Sequence, residues 1–204
     1  MITTEELRVA RTPSELRTFV DSKYPLIMAC EDERFKAREE RGIYRWYRDE
    51  IMPLADFSYA LFDDDVKVKP INGNQGYDAE VYDTKGRLIN RIELCVPHDG
   101  NYDFKQAKKL NSKRYGDTWC GSPGYEIGKL SDVIVKSARN KSQKDYSDCM
   151  LAIVIKCPPI CEEFRHEYLD VLNKLHEKLS QFIYKCNGVY LFCNSVGYLK
   201  KLQS

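Results

Sequence analysis

Between Glu162 and Cys186 the apolar residues Phe164, Tyr168, Val171, Leu172, Leu175, Leu179, Phe182 and Ile183 recur at helical spacing, with charged residues between them. This predicts a long amphipathic helix ended by Asn187 and Gly188, after which Gly188 to Cys193 (GVYLFC) resumes as a strand. The run CMLAIVIKC, Cys149 to Cys157, is almost wholly apolar and predicts a strand covered on both faces. Thr12, Pro13 and Glu15 have the spacing of a capping box with proline at the first helical position, predicting a short helix to about Ser22, stopped by Tyr24 and Pro25. Phe35, Ile43, Trp46, Tyr47, Ile51 and Leu54 predict a longer helix from about Glu31 to Leu61, with Pro53 as its point of interruption.

Three strands are predicted next, Val66 to Ile71, Tyr77 to Tyr82 and Leu88 to Val96, joined by NGNQG and DTKGR, whose Asn, Gly and Asp suit tight reversals. They read as an antiparallel meander. Residues 99–147 are polar, with helices around Phe104 to Leu110 and Leu130 to Ala138. The expectation is an α/β fold with a mixed sheet of about five strands, the meander plus two further strands, flanked by helices. A chain of 204 residues, 43% hydrophobic, suits one domain, 1–204, with an N-terminal helical extension (about 1–30) and a basic loop and helix region (about 99–147).

No run of about 18 apolar residues suggests a membrane span, and MITTEELRVARTPSEL is polar where a signal peptide needs an apolar stretch. A cytoplasmic protein is expected, and since four of its eight cysteines, Cys149, Cys157, Cys186 and Cys193, lie in or beside apolar segments, reduced core thiols are expected rather than disulfides. Cys157 with Cys161, and Cys95 with His98, lack the second closely spaced pair typical of structural zinc.

The net charge of +1 hides an uneven distribution. Residues 105–144 hold ten Lys or Arg against three acids, and residues 31–65 hold eleven acids against six bases. Lys105, Lys108, Lys109, Lys113 and Arg114 are candidates for phosphate contact. Tyr102, Tyr115, Trp119, Tyr125 and Tyr146 among the lysines could stack on bases, or simply pack the loop.

Alternation along a strand puts Arg91, Glu93 and Cys95 on one face, and Asp78, Glu80 and Tyr82 on one face of the preceding strand. Pairing those strands would bring Asp78 towards Glu93. Two nearby carboxylates repel unless a cation intervenes, and a hard divalent ion satisfies them while leaving sites for water and phosphate.

The order of elements, with Asp78 and Glu93 fifteen positions apart, resembles the PD-(D/E)XK, or restriction-endonuclease-like, nuclease superfamily from about Glu31 to Leu199. The resemblance implies a restriction-endonuclease-like core, Mg²⁺ or Mn²⁺ held by Asp78 and Glu93, assistance from Glu40 with Glu39 as its rival, and metal-assisted phosphodiester hydrolysis. Nucleic acid would be the partner, DNA before RNA, with room for a homodimer. Cys95 stands where the family has its lysine, and a thiol among acids neither carries positive charge nor activates water. Either Lys105, Lys108 or Lys109 replaces that lysine, with Gln106 as a polar contact, or the chain is a non-cutting member serving as a nucleic-acid-binding or protein-interaction module. A thiol mechanism pairing Cys95 with His98 is disfavoured by Pro97 and the surrounding acids.

Overall fold

The computed structural model describes residues 2–73, 75–98, 100–114, 123–157 and 162–203. Tyr115, Trp119 and Cys161 lie outside the described residues, as do the side chains of Tyr102 and Tyr125. The chain divides into two compact units, Met1–Arg91 with Gly100–Thr118, and Ile92–Asp99 with Trp119–Ser204.

The first unit is mainly helical. A capping box between Thr3 and Glu6 opens α1 (Thr4–Leu7), and the predicted box between Thr12 and Glu15 opens α2 (Pro13–Ala29). Helix α2 runs through Pro25 rather than ending before it, burying Leu16, Val20 and Ile27. After α3 (Glu31–Arg38) the break falls at Glu40 and Gly42, whose φ values are +51° and +57°. Helix α4 (Ile43–Trp46) then continues through a π turn (Tyr47–Ile51) into α5 (Met52–Leu61), so Pro53 interrupts nothing. The wider turn immediately before Pro53 accommodates a residue that has no N–H for the helical ladder. Strands β1 (Val66–Pro70) and β2 (Ala79–Asp83) pair antiparallel, with Ala79 and Val81 buried. Outside β1, Arg11 and Val68 exchange backbone hydrogen bonds of 3.0 and 2.7 Å. Gly86 (φ +76°) makes the turn into β3 (Leu88–Cys95), where the Asp83 N–H donates to the Arg87 carbonyl at 3.0 Å. So short a connection joins only antiparallel neighbours. Helix α6 (Gly100–Lys113) packs on α3.

The second unit takes over β3 at Ile92. It adds α7 (Pro123–Ser142), β4 (Asp145–Tyr146), β5 (Met150–Val154), a 3-10 turn at Glu162–Phe164, α8 (Arg165–Leu179), β6 (Lys185–Cys186), β7 (Val189–Cys193) and β8 (Tyr198–Gln203). Strand β5 runs parallel to β3 and to β7, and β8 lies antiparallel to β7. Leu151, Ile153 and Ile155 of the β5 segment, Val189, Leu191 and Cys193 of β7, and Cys95 share a core with Ile134 and Ala138 of α7 and Tyr168, Leu172, Leu175 and Leu179 of α8. Helix α8 stops at Leu179, short of the predicted Cys186. There the Ser180 hydroxyl donates to the His176 carbonyl at 2.8 Å, and Ile183, predicted as a core position, is 83% exposed.

The hydrogen-bonded strand order is β1-β2-β3-β5-β7-β8, with β4 and β6 forming a separate parallel pair. The fold is thus α/β, with a six-stranded mixed sheet flanked by helices where about five strands were expected. The extra strand is β8, whose sequence YLKKLQ lacks regular alternation.

Candidate functional site

Strand β3 becomes buried on both faces as it enters the second unit. Ile92 and Leu94 are buried on one side, Glu93 and Cys95 on the other. Parallel pairing sets Glu93 opposite Leu151 and Cys95 opposite Ile153, so Cys95 lies in the apolar layer beneath α7 and α8. This explains the cysteine. A lysine at 95 would bury an ammonium among Ile, Leu and Tyr side chains, whereas a thiol packs there as a small hydrophobe.

Glu93 lies one pleat nearer the start of the strand and is only 8% exposed. A buried carboxylate needs partners, and two converge on the same oxygen. The Lys141 ammonium from the last turn of α7 makes an ion pair and hydrogen bond with Glu93 Oε1, and the Tyr146 hydroxyl from β4 donates to that oxygen at 3.3 Å. The ammonium also lies 5.4 Å from the centre of the Tyr146 ring. Lys141 follows Ala138 by one helical turn, so it extends the Ile134–Ala138 stripe that faces the sheet. Its side chain keeps 20% exposure. Burial acts to lower its pKa, but the Glu93 contacts outweigh burial and hold the ammonium above the ordinary lysine value, with Tyr146 and Cys95 adding smaller effects in the same direction. Burial pushes the Tyr146 phenol up.

Tyr146 is therefore a buried partner of Glu93 rather than a stacking platform. The pattern that could have singled out Lys141 is the 134, 138, 141 stripe on α7. In the sequence it is one of ten cations in a polar segment, and nothing there distinguishes it from Lys136 or Lys144, which are exposed.

The other predicted residues are in the first unit. Asp78 is half-buried immediately before β2, and its carbonyl accepts from the Ile71 N–H at 2.8 Å. Glu80 accepts from the Tyr77 and Tyr82 hydroxyls at 3.2 and 2.5 Å, with Lys69 at 4.0 Å. Glu40 has the left-handed backbone noted above, and Arg48 lies 3.8 Å from its carboxylate. A carboxylate oxygen of Glu40 also lies within 4.8 Å of one of Asp49, which stands on the π turn. Glu39 is occupied structurally, accepting from Asn111 of α6 at 2.9 Å and pairing with Arg41. On α6 and just after it, Lys105, Lys108, Lys113 and Arg114 are exposed and Lys109 is half-buried. Lys108 sits 4.5 Å from the centre of the Phe104 ring. In the second unit Cys95 is buried, and His98 is exposed with Nδ1 donating to the Val96 carbonyl at 3.0 Å, an arrangement that does not activate a thiol.

No protein-family model, curated protein or solved structure matches this chain.

Proposed function

We propose that this chain is a nuclease-like protein acting on phosphodiesters, in which Lys141 supplies the amine that Cys95 does not. The observation that carries this reading is the Lys141–Glu93–Tyr146 cluster, where an ammonium from α7 reaches the carboxylate of β3. The order of elements supports the likeness, since a hairpin pair leading into β3, followed by helices, β5, α8 and β7, is the succession the family resemblance implies.

The donor types suit a hard divalent ion. Glu93 offers carboxylate oxygens, while the Cys95 sulfur is a soft donor that Mg²⁺ or Mn²⁺ disfavours. When bound, such an ion polarises the phosphodiester and lowers the pKa of a water. Glu93 would be one ligand, and the resemblance gives Asp78 and Glu40 the remaining carboxylate roles. Lys141, freed from Glu93 Oε1, would place a positive charge beside the phosphoryl oxygens as negative charge accumulates on them. Tyr146 would hold the Glu93 carboxylate in orientation through its hydroxyl. The exposed cations of α6 would bind the nucleic-acid backbone without reading its sequence.

One observation favours a second reading. Glu93 Oε1 is already satisfied by both Lys141 and Tyr146, as it would be in a binding module that never takes up metal. Incubation with single- and double-stranded DNA and RNA, with Mg²⁺ or Mn²⁺, separates the two. Cleavage lost in Glu93→Gln and Asp78→Asn, and reduced about 10²–10³-fold in Lys141→Met, supports the nuclease reading. Binding with no cleavage under any metal condition overturns it in favour of the module.

A further inference from the structure

Two sulfurs in the second unit play no part in the Glu93 cluster. Cys193 closes β7 and is fully buried, while Cys157 follows β5 by three residues and is half-buried. Their strands are parallel neighbours, with Val154 opposite Phe192, and the Ile155 N–H continues the ladder by donating to the Phe192 carbonyl at 2.8 Å. The two chains therefore leave the sheet side by side. The Ser195 hydroxyl donates to the Cys157 carbonyl at 2.7 Å and ties the segment after β5 to the turn after β7. Both thiols are free, and their Sγ atoms lie 3.4 Å apart sharing a hydrogen bond.

We propose that Cys157 and Cys193 form a reversible oxidation site that a hydroperoxide closes to a disulfide and a dithiol reopens. Bond formation asks the sulfurs to approach by about 1.4 Å, the difference between their separation and an S–S bond of about 2.05 Å. The shared hydrogen bond helps. It holds Cys193 below the ordinary thiol range, aided by the Ser195 and Val196 N–H groups and opposed by burial, and it pushes Cys157 up.

The chemistry balances in two steps. One thiol attacks ROOH, forming an S–O bond as the O–O bond breaks and ROH leaves with the thiol proton. The second sulfur then displaces water from the sulfenic sulfur, its own proton departing in that water. In sum, two thiols and ROOH give a disulfide, ROH and water, the peroxide taking two electrons. Reopening is thiol–disulfide exchange with a dithiol, which leaves as its own cyclic disulfide.

The test uses the full chain, reduced and then treated with hydrogen peroxide, quenched, alkylated in denaturant, digested without reductant and analysed by mass spectrometry. The expected result is a linked peptide pair carrying Cys157 and Cys193, lighter by two hydrogens than the separate peptides. Both thiols should disappear together and both return with dithiothreitol, before exposed Cys30 has reacted appreciably. Cys157→Ser and Cys193→Ser should each abolish the linked pair. Over-oxidation of Cys157 while Cys193 remains alkylatable would overturn the proposal. So would linkage of either to a different cysteine, or survival of both thiols at a peroxide dose that oxidises Cys30. These readouts come from the wild-type chain, so they stand whether or not the variants fold.

Discussion

At Glu93 a single carboxylate oxygen receives both an ammonium and a phenol, and removing either partner has a distinct expected cost. Lys141→Met leaves a buried carboxylate with only Tyr146, and should lower stability by about 3 kcal/mol in urea denaturation, since breaking a buried pair strands the remaining charge. Tyr146→Phe should cost only about 1 kcal/mol by the same measurement. The pair also predicts a pH dependence. The folded value of Lys141 lies above the unfolded one, so its contribution is complete below the unfolded lysine value of about 10.4 and is lost as pH rises through the folded value. Urea midpoints followed from pH 8 into that alkaline range should fall more steeply in the wild type than in Glu93→Gln; parallel curves would mean that the pair contributes nothing. Two residues on, on the same face, Cys95→Lys would place an ammonium in the apolar layer of α7 and α8, and should destabilise by about 3 kcal/mol or more. That Glu93 and Cys95 share one face of the strand was legible from strand alternation. The partner of Glu93 was not, because Lys141 lies 48 residues away and reaches Glu93 only once α7 has docked.

Among the elements, those with strong local signals were legible and those decided by packing were not. The capping box at Thr12 fixed the start of α2, but Pro25 misled about its end, because a proline within a helix removes one hydrogen bond and burial of Ile27 beyond it compensates. Pro53 misled similarly, its missing donor absorbed by the π turn before it. At α8 the apolar spacing persists past Leu179 into Phe182 and Ile183, yet the backbone turns at Ser180 and Tyr184 becomes the buried residue instead. Helix α6 makes a separate prediction. Replacing Lys105, Lys108, Lys113 and Arg114 by Gln should weaken nucleic-acid binding about equally for all sequences. It should also flatten the log–log salt dependence by about 0.9 for each duplex phosphate that is no longer neutralised, measured by fluorescence anisotropy at several salt concentrations. An unchanged slope would remove α6 from the binding surface.

For the molecule as a whole, the fold class, the first three strands of the sheet and the existence of the later parallel strands were legible, because long apolar runs and hairpin turns are local properties. The sixth strand and the division into two interleaved units, with β3 passing from one to the other, depend on tertiary pairing that no single window reports. No helix among the described residues is long and apolar enough to cross a membrane.

The sheet also has two outer strands, and the backbone bridge from Arg11 to Val68 now takes on a further meaning. An unguarded margin of that kind is a template on which a second chain can lay its own backbone. The segment after α1 fills the template at β1, while β8 presents exposed Lys200 and Lys201 at the opposite margin. Deleting residues 1–11 should therefore promote self-association, with thioflavin fluorescence and light scattering rising together. Residues 1–11 would then be what keeps neighbouring copies from stitching themselves into a ribbon.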